Sequence, residues 1–375
     1  MVNGSEDFKV NPYKVEGVVD YDKFAQNAGL KIIDDDLKKR LEKYAGELHP
    51  MIRRDIFYAQ RDMTWLLDKY EKGEKFYIYT GRAPTGPMSV GHLLPFEIAK
   101  WMQERFHCEV YIQIPDEEKF LAKDGYDIDK LHGIMMDNIL DIIALGFKPN
   151  LTKIFLDTEY ASVMYKNAVK IAKHITFSTI KDAFGFGMDS NIGKIFYTSM
   201  QSVPAMLKSA EENKNVPCLV PLAIDQDVHL RIARDVLPKL GYYKPSLIEC
   251  KFLPGLGGES KMSSSEEVTS IYLGDNEEQV KKKIGKAFTG QQATAELQRK
   301  HGGDPTKCVV CQYYKYIFEP NDKKLEEIFA AERSGTLLAG EHKAHLADTI
   351  NAFLHKHAQR KERAKEKIDK FILKD

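Results

Sequence analysis

Five short runs of strand-forming residues, 76–80, 109–114, 154–156, 218–224 and 247–252, constrain this chain more than any other feature, because they are apolar on both faces instead of alternating. Alternation marks a sheet with one wet face; continuous apolarity marks strands covered by helices on both faces. Between the first two runs, Leu94, Ile98, Met102 and Phe106 recur every fourth residue, so 93–106 is a helix with one apolar face. A strand, a helix and a strand in that order make a parallel unit. The expected fold class is α/β, a doubly wound parallel sheet.

The remaining segments divide around that sheet. The stretch 161–215 is helical and falls between the third and fourth strands, so it reads as an insertion. Beyond 275 helix formers dominate, and Ala347, Ile350, Leu354, Ala358, Ala364, Ile368 and Phe371 trace a long amphipathic helix. The expected domains are an N-terminal extension, 1–74, with helices near 35–44 and 61–71; a catalytic sheet domain, 75–274; and an all-α domain, 275–375. At 375 residues the chain exceeds one ordinary core. Apolar runs are short and interrupted, the N-terminus lacks a basic, apolar leader, and five unevenly spaced cysteines fit reduced thiols. A cytoplasmic protein with no membrane and no DNA partner is expected. Zero net charge gives no sign of nucleic acid, although 354–375 carries eight Lys or Arg against four acids. Cys308-Val309-Val310-Cys311 is a lone C-x-x-C with only His301 nearby; zinc takes four ligands, so the spacing reads as structural.

Two loops carry chemistry. After the fifth strand, the glycine-rich segment from Pro254 leads into Lys261-Met262-Ser263-Ser264-Ser265, where an ammonium and three hydroxyls offer donors to phosphate oxygens. A solvated serine-rich loop explains the pentapeptide equally well on its own. After the first strand, Thr80-Gly81-Arg82-Ala83-Pro84-Thr85-Gly86-Pro87-Met88-Ser89-Val90-Gly91-His92 runs into a helix. In a doubly wound sheet the ligand crevice lies beyond the carboxyl ends of the strands, where helix N-termini favour phosphate. Taken together, the two loops read as a triphosphate site.

Ser89-Val90-Gly91-His92 and the lysine pentapeptide resemble the two signatures of class I aminoacyl-tRNA synthetases. Within the class, from about Asn11 onward, the chain is similar to tryptophanyl-tRNA synthetases of the eukaryotic and archaeal kind. Residues 76–82, Ile112-Gln113-Ile114-Pro115-Asp116-Glu117-Glu118-Lys119, Ala223-Ile224-Asp225-Gln226-Asp227, Arg53-Arg54-Asp55-Ile56-Phe57 and Arg61-Asp62 carry that likeness. The resemblance implies a Rossmann-like catalytic domain with a mobile loop at 255–266 and a helical anticodon-binding domain. It implies L-tryptophan, transfer RNA and ATP with Mg²⁺ as substrates, no metal held by the protein, and a homodimer contact through 161–215. Tyr79 and Gln113 would read the indole, Glu118 and Gln201 the α-ammonium, and Gln226 would face the substrate. Gly81, Arg82, Ala83, Ser89, Gly91, His92, Asp225, Lys261, Met262 and Ser263 would bind ATP, with Lys261, Ser263, Ser264 and His92 stabilising the transferred charge. Residues 11–17 would help close the pocket.

Two positions depart from the family pattern. Ser89 stands where the class often has histidine, and Ala83 where relatives often have glycine, in a loop that looks one residue shorter than in animal relatives. Tyrosine is the nearest alternative substrate, since tyrosyl enzymes share the fold and a nearly identical lysine loop. A nucleotidyltransferase would lack the amino-acid pocket, and a non-catalytic RNA-binding derivative would have no need of Lys261.

Overall fold

The computed structural model describes residues 2–3, 8–11, 14–84, 86–122, 124–125, 127–262 and 269–375. All five expected strands are present, at Tyr77–Gly81, Val110–Ile114, Thr152–Leu156, Cys218–Ala223 and Ser246–Cys250. They are parallel to one another, in the spatial order Ser246–Cys250, Cys218–Ala223, Tyr77–Gly81, Val110–Ile114, Thr152–Leu156. The first three strands in sequence step one way and the last two return on the other side of Tyr77–Gly81, which places the topological switch point between Tyr77–Gly81 and Cys218–Ala223.

The sheet is wider than the sequence reading allowed. Phe57–Arg61 pairs antiparallel with Ser246–Cys250, and Lys31–Ile32 pairs with Phe57–Arg61, giving seven strands. The first 74 residues are therefore part of the sheet domain's edge as well as an extension. A further antiparallel hairpin, Phe8–Asn11 with Lys14–Gly17, stands apart from this sheet.

Pleating sorts the strand residues between two cores. Ile78, Val110, Ile112, Ile154 and Leu156 belong to one buried cluster, and Tyr77, Tyr79, Tyr111 and Phe155 to the other. Leu93–Phe106 packs in the first cluster, while the insertion, through Met164, Ala168, Ile171, Val203 and Leu207, closes the second. With a period of two, Gln113 at the end of its strand falls on the same face as Tyr79.

The C-terminal helices do not form a separate core. Val280, Ile284, Val310, Leu346, Ile350 and Phe371 are continuous with the first cluster, and helix Ala339–Lys365 packs along Ile128–Ala144. His357 Nε2 meets Asp141 Oδ1 at 2.9 Å in that buried contact. The long helix stops at Lys365, short of Phe371, because the chain turns back to the sheet: Ile154 donates its N–H to the Phe371 carbonyl at 2.7 Å and Leu373 donates to Ile154 at 2.7 Å. Ala364 and Phe371 are buried as the periodicity requires, but on either side of a short 3-10 turn. Arg54 ties the extension to these helices through bonds to the carbonyls of Lys315 and Glu319, at 2.8 and 2.7 Å, and to Asp322 Oδ1 at 2.7 Å.

Candidate functional site

At the switch point, beyond the strand ends, lies a cavity of about 600 Å³. Tyr79, Gln113, Glu118, Gln201, Gln226, Gly81, Arg82, Ala83, Ser89, Gly91, His92, Asp225, Lys261 and Met262 all line it. Every described residue that the sequence nominated is thus gathered in one place, from six segments spanning positions 79 to 262. Ser263, Ser264 and Ser265 lie outside the described residues.

One end of the cavity is a polar relay set on the sheet. The Tyr79 hydroxyl donates to Gln113 Oε1 at 2.6 Å and accepts from Gln201 Nε2 at 2.7 Å. Gln113 Nε2 donates to Asp157 Oδ2 at 2.7 Å, so the carboxylate fixes which way the amide points and leaves its oxygen on the Tyr79 side. Burial, then the charge of Asp157, pushes the Tyr79 phenol far above its usual range, so it stays a neutral hydroxyl. Beside them the Tyr197 hydroxyl reaches Glu118 Oε2 at 3.3 Å and also bonds Gln201 Oε1. An aromatic-walled pocket floored by neutral hydrogen-bonding groups and edged by a carboxylate suits an amino acid whose side chain is a flat ring with one polar atom.

The other end is built for phosphate. Ser89 donates its N–H to His92 Nδ1 at 3.0 Å, which makes Nδ1 the acceptor and leaves the proton on Nε2. Burial, then the Arg82 and Lys261 charges, holds the imidazole well below its usual range, so it is a neutral donor. The Ser89 hydroxyl also faces Nδ1, at 2.9 Å; it positions His92 and is not directed outward as a substitute for a second imidazole. Arg82 bonds Asn138 Oδ1 at 2.6 Å and the carbonyls of Gly86 and Pro87, bracing the strand-to-helix loop. Across the cavity Lys261 Nζ meets Asp225 Oδ2 at 2.5 Å. A Cβ on Gly81 would stand 2.8 Å from the Gln113 carbonyl oxygen, so only glycine lets the two strand ends come this close.

A family model described as "tRNA synthetases class I (W and Y)" matches residues 71–355. That description leaves tryptophan and tyrosine both open. The full-length relatives separate them: the tryptophan–tRNA ligase of Sulfolobus acidocaldarius is 47% identical over 370 residues, covering 98% of this chain and 96% of its own. This chain belongs to the tryptophanyl-tRNA synthetases. The tryptophanyl-tRNA synthetase of Encephalitozoon cuniculi, solved bound to tryptophan, superposes with a TM-score of 0.87 at 36% identity over 95% of this chain and 98% of that one. The enzyme from Giardia lamblia gives 0.88 at 35% identity over 95% and 96%. The enzyme is a ligase of this family, and its fold is the family's Rossmann-like α/β sheet.

Several residues of this synthetase's site escape a reading of the sequence. In Asp116-Glu117-Glu118 only Glu118 lines the cavity; Asp116 turns away to accept from Thr158 N–H at 3.1 Å. Glu117 is half-buried with both carboxylate oxygens enclosed, and desolvation lifts its carboxyl to about 8, with the charge of Asp116 adding to it. Burial, then the charge of Glu117, pushes the Asp157 carboxyl well above its usual range, opposed by the bond from Gln113. Tyr197 had one usable signal, its position four residues before Gln201 on the same helical turn. Asp227, adjacent to two cavity residues, points elsewhere and takes a bidentate pair from Arg61 at 2.9 and 3.0 Å. Val15 of the N-terminal hairpin lines the cavity, and Ser260 donates to the Gly17 carbonyl at 2.7 Å, joining that hairpin to the lysine loop.

Proposed function

We propose that the enzyme activates L-tryptophan with ATP inside this cavity, the relay end holding the amino acid and the lysine end the triphosphate. The observation that carries the reading is the polarity of the relay, because an indole N–H needs an acceptor and Gln113 is held with its oxygen turned in. Tyr79 and Gln113 receive the indole nitrogen; Glu118 and Gln201 take the α-ammonium, and Gln226 lies alongside.

The tryptophan carboxylate attacks the α-phosphorus in line, the bond to the bridging oxygen breaks, and pyrophosphate leaves. The nucleophile is already an anion, so the protein supplies orientation and stabilisation of phosphoryl charge. Lys261 and the neutral Nε2–H of His92 donate to phosphate oxygens, and Asp225 holds the ribose after releasing Lys261 to the incoming triphosphate. Among the described residues nothing requires glycine at position 91, where a Cβ would stand at ordinary contact distance from Met262 Sδ, at 3.5 Å, and Ser89 Oγ, at 3.7 Å, which fits close approach by a nucleotide. Mg²⁺ enters with ATP as part of the substrate. Tryptophan then passes to the terminal adenosine of transfer RNA, whose anticodon is read by the helices beyond residue 275.

Exposed apolar side chains on the insertion, Tyr165, Val169, Met188 and Ile192, support its role as the homodimer contact. Among the described residues no helix is long and apolar enough to cross a membrane, which is compatible with work in the cytoplasm. Pyrophosphate exchange into ATP, run with each amino acid in turn, tests the reading: exchange with tryptophan alone is expected. Exchange with tyrosine would select the tyrosyl alternative, and none at all would leave a binding role.

A further inference from the structure

The C-x-x-C dipeptide pair, which the sequence leaves two ligands short, is completed by the fold. Cys308 caps helix Val309–Tyr313 and Cys311 sits in its first turn, so both sulfurs face one side. Glu332 arrives from helix Asp322–Ser334 and His342 from helix Ala339–Lys365, and one ligand atom of each of the four residues lies within 4.8 Å of all the others. Tetrahedral zinc with its usual bond lengths holds its ligand atoms about 3.3 to 3.8 Å apart, so modest contraction would seat an ion. His301, the imidazole nearest in sequence, is not part of the set.

Several buried polar atoms here lack hydrogen-bond partners. All four residues are at most 1% exposed, yet Glu332 Oε1 and both ring nitrogens of His342 make no hydrogen bond, although Nδ1 lies 3.2 Å from Glu332 Oε2 as an ion-pair contact. Each such orphan costs about 1 to 3 kcal/mol in a protein interior. The neighbours, by contrast, are arranged as an outer support. Gln291 Nε2 donates to Glu332 Oε2 at 2.6 Å, Gly303 N–H donates to the Glu332 carbonyl at 2.8 Å, and the Tyr314 ring lies stacked on His342 at 5.7 Å and 6°. Oriented ligands with unsatisfied inner atoms are the pattern of a metal centre.

We infer that Cys308, Cys311, Glu332 and His342 bind one zinc ion as a closed structural site. Two thiolates, an imidazole and a carboxylate favour zinc over the oxygen-seeking cations, and binding displaces the two thiol protons to solvent. Four protein ligands leave no open position, so the ion ties three helices together and takes no part in chemistry. Its position also backs the lysine loop: Val309 donates to the Phe288 carbonyl at 3.2 Å, and Phe288 donates to Leu256 at 2.7 Å.

Metal analysis of the full chain, expressed with added zinc and gel-filtered, tests this directly. One zinc per chain is expected, with background levels in Cys308→Ser/Cys311→Ser. Gln291→Ala, which keeps all four ligands, should bind zinc about 10- to 100-fold more weakly in a competition with a chromophoric chelator. If the double cysteine variant fails to fold, cobalt titration of the metal-free parent decides: a thiolate-to-cobalt charge-transfer band saturating at one equivalent supports the site. Background metal in the parent, absence of that band, stoichiometric iron, or zinc retained in full by a folded double variant would each overturn it.

Discussion

Replacing Asp157 with Asn should weaken tryptophan binding through the side chain of Gln113. In the parent the amide cannot turn over, because its Nε2 faces a carboxylate at 2.7 Å and its oxygen faces the Tyr79 hydroxyl at 2.6 Å. Asp157 Oδ2 accepts from the amide, whereas an asparagine side chain can present either end. The substitution is nearly isosteric, but an asparagine that turns its NH2 toward Gln113 loses the bond that fixes the amide, a hydrogen bond worth about 0.5 to 1.5 kcal/mol. Its loss corresponds to a roughly 2- to 12-fold rise in the tryptophan Kd. Equilibrium binding measured by calorimetry gives the number, and benzothienylalanine, with sulfur in place of the indole N–H, provides the control. That analogue makes no bond to the relay and should bind parent and variant alike. An unchanged tryptophan Kd, or an equal loss for both ligands, would refute the argument, since the second result means that the pocket deformed instead of the amide losing its polarity.

Lys261→Ala should slow tryptophan-dependent pyrophosphate exchange by about 10² to 10³, the cost of one charge-stabilising donor, while the tryptophan Kd is kept; an unchanged exchange rate removes Lys261 from the mechanism. His49 and His229 are each pushed down to about 4 by burial, so below about pH 6.5 the unfolded chain takes up protons that the fold refuses. Stability measured by urea unfolding should therefore fall as pH drops from 6.5 toward 4, by up to about 1.4 kcal/mol per pH unit for each histidine. His229→Phe should flatten that slope, and an unaltered slope would contradict the assignment. Tyr165→Asp/Ile192→Asp should convert a dimer into a monomer by light scattering, without loss of helical signal; a persisting dimer would place the contact elsewhere.

Much of the sheet was legible in the sequence because burial on both faces leaves no charged or amide side chain to interrupt a strand such as Cys218–Ala223. Phe57–Arg61 was not, since it ends in Gln60 and Arg61 and its partner lies nearly two hundred residues away, at Ser246–Cys250. Site residues in glycine-rich turns, such as His92 and Lys261, announce themselves by local chemistry. Asp157 acts on another side chain and carries no local mark of that role, and Tyr197 has only its spacing from Gln201. Glu332 and His342 belong to helices whose apolar stripes explain them adequately until the fold sets them beside Cys308. The reach of the terminal helix was overestimated for a related reason: the burial of Phe371 has the right period, but the sheet edge at Ile154 supplies it.

The alternation of strand residues between two cores has a consequence for changing what this enzyme accepts. Tyr79 and Gln113 sit on the insertion side, while Ile78 and Ile112, their immediate neighbours, anchor the opposite core. Selectivity and stability are thus interleaved along the same strands but spend their side chains on separate faces. A library confined to positions 79, 113 and 201 would explore new aromatic substrates without disturbing the core packing of Ile78 and Ile112, whereas a single inserted or deleted residue in either strand would exchange the two sets and lose both properties together.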